Sequence, residues 1–388
     1  MRPAPLSLGA NAARSRDHNR QLVLGQVQTG GAMGRAEIAR RSGLTTQAVS
    51  NIIAELEADG LLRPAGTRAA RRGLPVAQYA VEPRGAYALG VEVRPAVLLA
   101  ALLDLGGTRV WQERIALPRA DPATVEAALP GLLERARCAV PGARARLLGA
   151  GIVMPGPFGR TGVSGRASEL PGWEGVDAAA RLGAVLALPV IVANDANAAA
   201  MAERMRGASE GLTHLACLYF GTGLGLGVVQ DGRLMVGAFG NAGEIGHVPV
   251  STPSGPAPLE SCLSRLSVEA HMARAGVEAH DMAALEALHA ARHPALMAWL
   301  DAALDPLAQA VAVIENLLDP QTIVLCGAMP LPMVARLVER VALPAASVSR
   351  RADNPHAPLR AGLCSRLAAA QGAAAMVLAG AVTPALAS

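Results

Sequence analysis

The chain has 388 residues, more than one ordinary hydrophobic core needs, so the length predicts two or three compact units. Hydrophobic residues make up 52% of it and aromatic ones only 2%, so the cores must be built mainly from Ala, Val and Leu. The five Cys are scattered without CxxC spacing, which argues against a disulfide framework. There is no signal-peptide pattern at the start and no apolar run of about 18 residues, so we expect a cytoplasmic protein without a membrane segment.

Positive charge is concentrated near the N-terminus. Residues 1–85 carry 12 Arg and 6 acidic residues, a net charge of +6, whereas the whole chain has +4. A basic module attached to a slightly acidic body is the asymmetry expected when one end of a protein binds a polyanion.

Three short helices are predicted in this basic region, and Gly residues separate them. The Gly-rich segment TGGAMG ends the first helix, Gly43 ends the second, and Thr45 or Thr46 caps the third. The helices are predicted over residues 18–28, 35–43 and 46–60.

The third helix has two different faces. Apolar residues at i, i+3, i+4 and i+7 form a stripe that is predicted to be buried, namely Val49, Ile52, Ile53 and Leu56. Polar residues lie on the opposite side near the helix N-terminus, namely Thr46, Gln47, Ser50 and Asn51. Two short helices joined by a tight turn, with donors and acceptors on the second, form the helix-turn-helix that places its second helix in the major groove of DNA.

A wing is predicted after the third helix. LLRPAG and VAQYAV have the pattern of short strands, and they flank TRAARRGLP, whose arginines would contact phosphates or a narrow minor groove. The candidate DNA-contacting residues are Arg35, Thr45, Thr46, Gln47, Ser50, Asn51, Arg68, Arg71 and Arg72. The alternative is that the three helices only pack on the body as an oligomerisation cap and that the arginines are a solvated face.

The body contains two stretches with the same layout. YALGVEV, VLLAALLDL and TRVWQERI form one predicted three-strand meander, and HLACLYF, LGVVQ and RLMVGA form another. A duplicated unit of this kind, with helices between further strands, predicts two α/β lobes around a cleft. In proteins of that plan, the loop after the first strand of each lobe holds nucleotide phosphates through backbone N–H groups.

Several segments together resemble the ROK family of repressors, open reading frames and kinases, and specifically its winged-helix regulators of the N-acetylglucosamine and xylose repressor type. The segments are RAEIARRSGLTTQAVSNIIAELEADGLL, MPGPF, LPGWEGV, ANDANAAAMAE, FGTGLGLGVVQDGRL and GAFGNAGEIGH. The resemblance implies an α/β chain in which a winged helix-turn-helix precedes a two-lobed, actin-like domain of the sugar kinase and Hsp70 type. The expected organisation is an N-terminal arm (1–17), a DNA-binding domain (18–84) and a sugar-binding ROK domain (85–388), with lobes over roughly 85–200 and 201–388.

The resemblance also implies a sugar pocket. Asn194 matches the residue that holds sugar hydroxyls, and Asp195 matches the general base of the family's kinases. Glu244 and His247 match the Glu and His of the family's GEIGH motif, and carboxylates suit vicinal hydroxyls because they accept charge-assisted hydrogen bonds. The complete set of expected sugar-binding residues is Gly156, Glu169, Asn194, Asp195, Glu244, His247 and Glu260.

The chain departs from the family kinases in the first phosphate loop. Where those kinases have Asp-x-Gly-Gly-Thr, residues 92–96 are Glu, Val, Arg, Pro and Ala. Pro95 has no N–H and Ala96 has no hydroxyl, so this segment is a poor phosphate cradle. The DLGGT at residues 104–108 falls one hairpin later, where its glycines are turn residues. We therefore expect no efficient kinase activity and no ATP binding, with Asp195 retained as a vestigial base.

Two other departures concern metal and ligand charge. Many family members bind zinc through the GEIGH histidine and three cysteines, but the segment between His247 and Glu260 contains no cysteine, so we expect no zinc and no other cofactor. Glu169 stands where the family often has Asn, which would disfavour anionic ligands.

The sequence thus predicts a sugar-responsive transcription regulator, of repressor type, that binds operator DNA and a neutral sugar as a homodimer or homotetramer. An active sugar kinase with an attached DNA-binding arm is the alternative. A third hypothesis, in which the body is only an oligomerisation scaffold, is disfavoured because a scaffold has no need of a polar pocket that is costly to bury.

Overall fold

A computed structural model describes residues 12–69, 75–156, 170–343 and 347–382 of the chain. Its helices are α1 Ala12–Gly30, α2 Arg35–Ser42, α3 Thr46–Ala58, α4 Pro122–Ala139, α5 Ala143–Arg146, α6 Ala178–Leu186, α7 Asp195–Arg206, α8 Leu259–Cys262, α9 Arg265–Arg274, α10 Met282–Ala290, α11 Pro294–Ala302, α12 Leu304–Leu318, α13 Leu331–Arg340 and α14 Ala368–Val382. Its strands are β1 Met33–Gly34, β2 Leu62–Arg68, β3 Val76–Val81, β4 Tyr87–Arg94, β5 Val97–Asp104, β6 Arg109–Ala116, β7 Leu147–Val153, β8 Val190–Ala193, β9 Leu215–Phe220, β10 Leu224–Gln230, β11 Arg233–Leu234, β12 Pro249–Thr252, β13 Gly255–Pro258, β14 Thr322–Gly327 and β15 Leu359–Ala361.

The first three helices and three strands form a winged helix-turn-helix. Gly43 ends α2 in the left-handed conformation, with φ of 71°, and the Thr45 side chain caps α3 by accepting a hydrogen bond from the Ala48 N–H. All four apolar residues predicted for the buried stripe of α3 are buried. The wing consists of β2 and β3, to which β1 adds a third strand in the order β1-β3-β2.

Local details of this module differ from the prediction. Helix α1 begins at Ala12 rather than at residue 18, so residues 12–17, expected to belong to an arm, are helical. The segment TGGAMG, expected only to break the chain, contains β1, which pairs with β3. Arg68, expected on the wing loop, is the last residue of β2. Each difference depends on tertiary packing or strand pairing, which local sequence patterns do not show.

The body contains two five-stranded sheets of the same topology. Their strand orders are β6-β5-β4-β7-β8 and β11-β10-β9-β14-β15. In each sheet, in the order given, the first two strand pairs are antiparallel and the last two are parallel. The duplicated meander predicted from the sequence is therefore present in both lobes.

Helices α7 and α14 lie between the two sheets. Helix α14 packs against β4, β7 and α7, while α7 packs against β9 and β10. A methyl group at Gly372 of α14 would lie 1.9 Å from the Ala198 carbonyl oxygen of α7, so the two helix backbones are in close contact. The C-terminal helix thus returns to the first lobe, although residues 201–388 were expected to form the second.

Residues Pro294–Leu318 form the one helical stretch, within the described ranges, that is long and apolar enough to cross a membrane. Trp299, Leu307, Val311 and Ile314 of this stretch belong to the buried core of the second lobe, as expected of a core helix in a folded domain.

Candidate functional site

The first two site residues lie at the N-terminus of α7, between the lobes. Asn194 is the N-cap residue, and its Oδ1 accepts a hydrogen bond of 2.8 Å from the Asn197 N–H. This cap uses only the carbonyl oxygen of the Asn194 side chain, whose amide nitrogen is a hydrogen-bond donor. Asp195 is the first residue of the helix, where the helix dipole favours a negative charge.

The loop between β9 and β10 passes directly beside Asp195. A methyl group at Gly221 would lie 2.5 Å from Asp195 Oδ2, and one at Gly223 would lie 2.7 Å from Glu260 Oε2. Any larger side chain at either position would have to displace a carboxylate. The side chains of Asp195 in α7 and Glu260 in α8 therefore both lie against this loop.

The GEIGH residues complete the cluster. His247 Nε2 lies 3.8 Å from Glu244 Oε2, and His247 Nδ1 lies 3.9 Å from Glu260 Oε1. Gly156 borders the same cluster, because a methyl group there would be 3.5 Å from Glu244 Oε1. The structure thus brings together six of the seven predicted sugar-binding residues, and Glu169 lies outside the described residues.

Two carboxyl groups of the site, those of Asp195 and Glu244, have raised pKa values. Burial raises the pKa of Asp195 to about 6, although a backbone hydrogen bond from Ala196 and the nearby Arg94 oppose the rise. Burial also raises the pKa of Glu244, with His247 opposing it. Such an arrangement provides acceptors for hydroxyl groups and would repel an anion.

An ion pair that the sequence analysis did not identify occupies the end of β4. Arg94 Nε donates a hydrogen bond of 2.7 Å to Glu92 Oε1, and Glu92 is only 5% exposed. Burial raises the pKa of Glu92 to about 7, against the effect of Arg94. Glu92 Oε2 and the buried Tyr219 hydroxyl have no hydrogen-bond partner among the described residues. The sequence did contain a signal for this pair, because residues i and i+2 of a strand share a face and Glu92 and Arg94 have this spacing in β4.

The two connections that could hold phosphate differ in length. Strands β4 and β5 pair up to Arg94 and Val97, so only Pro95 and Ala96 connect them. The corresponding connection in the second lobe, between β9 and β10, has three residues, Gly221 to Gly223. The DLGGT sequence forms the turn between β5 and β6, one hairpin away from the first connection.

The predicted DNA-contacting residues of α3 share one exposed surface. Thr45, Thr46, Gln47 and Asn51 are exposed, and Gln47 Nε2 donates a hydrogen bond of 3.1 Å to Asn51 Oδ1. Ser50 is less available, because it is half-buried and its hydroxyl donates to the Thr46 carbonyl.

The predicted arginines of the module lie on either side of α3 in sequence. Arg35, at the start of α2, is hydrogen-bonded to the Tyr79 hydroxyl and lies over its ring, with 5.2 Å from its Cζ to the ring centroid. Arg68 is exposed at the end of β2. Arg71 and Arg72 lie outside the described residues.

Across residues 12–69, 75–156, 170–343 and 347–382, no group of three or more His, Cys, Asp and Glu side chains is arranged to hold a metal ion.

The chain was compared with families of known proteins. Residues 89–379 match the model of the ROK family. The chain belongs to the ROK family. Residues 22–73 match the model of the MarR family, which supports a MarR-type winged helix before the ROK domain.

Named relatives of this ROK protein include regulators. It is 24% identical over 234 residues to the xylose repressor of Bacillus spizizenii, and the match spans 60% of each chain. It is 27% identical over 225 residues to the DNA-binding transcriptional dual regulator NagC of Escherichia coli, a match that spans 57% of this chain and 54% of NagC. These matches therefore span little more than half the length of either relative.

Solved structures of two kinds share the fold. A ROK family transcriptional regulator, a homolog of the E. coli MLC protein, superposes with a TM-score of 0.69 at 23% identity over 95% of this chain and 98% of the other. A ROK family glucokinase from Streptomyces griseus, in complex with glucose and AMPPNP, superposes with a TM-score of 0.55 at 22% identity. The match covers 75% of this chain and 98% of the glucokinase. The regulator thus covers the winged helix as well as the ROK domain.

Proposed function

We propose that this ROK protein is a sugar-responsive, DNA-binding transcription regulator of the repressor type, acting on genes of carbohydrate uptake or breakdown. The observation that carries the proposal is the presence, in one chain, of a winged helix-turn-helix and of a polar cleft that contains Asn194, Asp195, Glu244, His247 and Glu260. The repressors and regulators among its relatives support the same function.

The proposed effector is a neutral sugar. Asn194 supplies amide donors, while Asp195, Glu244 and Glu260 supply acceptors for hydroxyl groups. With Glu92, the partner of Arg94, four carboxyl groups face one histidine and one arginine here, so an anionic ligand would be repelled.

We propose that the cleft does not support phosphoryl transfer. The two-residue turn at Pro95 and Ala96 offers only one backbone N–H where a phosphate loop would offer several. Arg94 and Glu92 occupy the strand end beside it. Asp195 could still accept a proton, but phosphoryl transfer depends chiefly on positioning and charge stabilisation of the phosphate.

A continuous path of contacts connects the cleft with the DNA-binding module. Helix α7 has 12 residues, from Asp195 to Arg206. Arg206 Nη2 donates a hydrogen bond of 2.7 Å to Thr108 Oγ1 in the β5–β6 turn. The Leu105 carbonyl of the same turn accepts a hydrogen bond of 3.0 Å from Gln28 of α1. A sugar that displaces the N-terminus of α7 would therefore shift the base of the DNA-binding module.

The proposed partners are operator DNA and the sugar effector, and the proposed location is the cytoplasm. A homodimer or homotetramer would present two recognition helices to a symmetric operator. In that arrangement a small rotation of either helix changes the half-site spacing and weakens binding.

Fluorescence-anisotropy titration of the full chain with DNA from upstream of its own gene tests the function. The salt concentration must be stated, because affinity for DNA depends on it. A panel of neutral sugars and their phosphates is then added. We expect specific binding that one neutral sugar changes. A sugar that binds tightly and leaves the DNA affinity unchanged would refute the regulatory coupling.

A sugar kinase remains the alternative because Asp195 is retained. A coupled assay of ADP release with the same sugars decides between the two functions. Turnover at rates typical of sugar kinases, with no specific DNA binding, would overturn the proposal.

A further inference from the structure

The recognition helix α3 carries acidic residues on the side that continues its polar face. Gln47, Asn51 and Glu55 are spaced at i, i+4 and i+8, so they follow one another along one side of the helix. Asp59 comes one turn later, immediately after α3 ends. If α3 lies in the major groove, these two carboxylates face the flanking phosphates, where unpaired negative charge would oppose binding.

Both carboxylates are paired with arginines from the first turns of α1. Arg16 Nη2 donates to Glu55 Oε1 at 2.7 Å, and Arg16 Nε donates to Glu55 Oε2 at 3.3 Å. Arg20 Nη1 donates to the same Oε2 at 2.9 Å, and Arg20 Nη2 is hydrogen-bonded to Asp59. Each carboxylate therefore has a guanidinium partner, and Glu55 has two.

The solvent exposure of these side chains limits how much the ion pairs can stabilise the fold. The side chains of Arg16 and Asp59 are 65% and 54% exposed, and those of Arg20 and Glu55 are half-buried, so the cluster lies at the edge of the surface. Ion pairs at the protein surface contribute little to folding. The cluster is thus a weak stabilising element but a substantial change in the local charge of the DNA-binding surface.

We propose that Arg16 and Arg20 mask the carboxylates of Glu55 and Asp59, and that this masking lets α3 approach DNA. The inference rests on the proposed DNA-binding function. It gives residues 12–20 a role in binding without requiring either arginine to contact DNA. Helix α1 is then part of the electrostatic surface of the recognition helix as well as part of its packing.

The test compares three variants of the full chain with the wild type in the anisotropy assay, using the upstream DNA and a random duplex at several salt concentrations. The first variant combines Arg16→Gln with Arg20→Gln, which unmasks both carboxylates. We expect its binding at low salt to be about tenfold weaker, because two unmasked charges offset about two phosphate contacts. The second adds Glu55→Gln and Asp59→Asn to the first, and we expect it to recover most of the wild-type affinity.

The third variant carries only Glu55→Gln and Asp59→Asn, and we expect it to bind DNA at least as tightly as the wild type. The control combines Arg119→Gln with Arg181→Gln, which breaks the exposed pairs with Asp121 and Glu126 in the body and changes net charge by the same amount. We expect it to change DNA affinity by less than about twofold, because these pairs lie near the Ala96 end of the first sheet, whereas the DNA-binding module meets the opposite end at Gly85. Thermal unfolding of each variant verifies that it is folded.

Each remaining outcome overturns the proposal. If the first variant binds like the wild type, the masking is irrelevant. If the second variant remains as weak as the first, the arginines act on DNA directly or through the packing of α1. If the third binds more weakly than the wild type, the carboxylates themselves support binding. A wild-type protein that binds no DNA at any salt concentration instead overturns the proposed function, and this inference with it.

Discussion

The buried carboxyl group of Asp195 has a cost to folding that depends on pH. Its pKa is raised to about 6, mainly by burial, so the folded chain binds its proton more tightly than the unfolded chain does. Stability is therefore lost as the pH rises from the unfolded pKa through about 6, where the buried group must ionise. A carboxylate retained at such a position is more readily explained by ligand binding than by folding.

We expect Asp195→Asn to abolish sugar binding and to raise the melting temperature well above pH 6, where the wild type carries the buried charge. In the wild type, sugar affinity should fall as the pH decreases through about 6, because the protonated carboxyl loses an acceptor. Isothermal titration calorimetry and thermal unfolding across this range measure both effects. Unchanged affinity in the variant would remove Asp195 from the site.

Arg94 and Glu92 form an ion pair at the end of β4. We expect the loss of one partner to destabilise the fold more than the loss of both. Glu92 is almost fully buried, and removing one partner of a buried pair typically costs about 3 to 5 kcal/mol. We expect Arg94→Met to lower the free energy of unfolding substantially near neutral pH and to raise the pKa of Glu92 further.

Adding Glu92→Gln to Arg94→Met should restore much of that stability, because no unpaired charge is then buried. Urea unfolding of the two single variants and the double variant measures the coupling between the residues. Additive effects would show that the pair is not coupled and that the loss arises from packing around Arg94.

At the scale of elements, the interface between α7 and α14 depends on small residues. Gly372 lies against the Ala198 carbonyl, and the surrounding residues of α14, including Ala369, Ala370, Ala373 and Ala374, are buried. Small side chains let two helix backbones approach closely, but they leave no space for an added methyl group.

We expect Gly372→Ala to destabilise the chain by about 1 to 3 kcal/mol, because the methyl group would have to displace the backbone of α7. Gly380→Ala is the matched control, since it lies in the same helix and a methyl group there meets nothing within 4 Å. The control should be neutral or slightly stabilising, because alanine favours helix more than glycine does. Equal effects at both positions in thermal unfolding would mean that the close approach is not a constraint.

Much of the architecture could be predicted from the sequence, and the exceptions share a cause. The caps at Gly43 and Thr45 and the stripe of α3 are local patterns that the structure confirms. The DLGGT turn lies where the sequence placed it, but its contact with Gln28 joins residues that are 77 positions apart. Periodicity and turn chemistry describe neighbours in sequence, so they could not predict this contact or the return of α14 to the first lobe.

At the scale of the whole molecule, helix α1 joins the DNA-binding module to the body. Gln21 Nε2 donates a hydrogen bond of 3.4 Å to the Gly380 carbonyl of α14, and Gln28 Nε2 donates one to Leu105. Val23 and Val27 of α1 belong to the same buried cluster as Leu378 and Val382 of α14. The module is thus packed directly on the helices between the lobes.

The β5–β6 turn joins α7 to α1 through the hydrogen bonds of Arg206 and Gln28, and both bonds can be removed without altering a residue predicted to contact DNA or sugar. We expect Arg206→Ala combined with Gln28→Ala to leave the affinity for DNA alone and for the sugar alone within a few-fold of wild type. The effect of one ligand on the other, typically about 1 to 3 kcal/mol in allosteric proteins, should fall towards zero.

Two titrations measure this coupling, DNA affinity at saturating sugar and sugar affinity at saturating DNA, and linkage requires both to change by the same factor. Arg114→Ala is the control, because Arg114 is an exposed arginine on β6, the strand that follows the turn. Full coupling in the Arg206 and Gln28 variant would mean that the sugar acts on DNA binding through other contacts between the body and the module, such as those of α1 with α14.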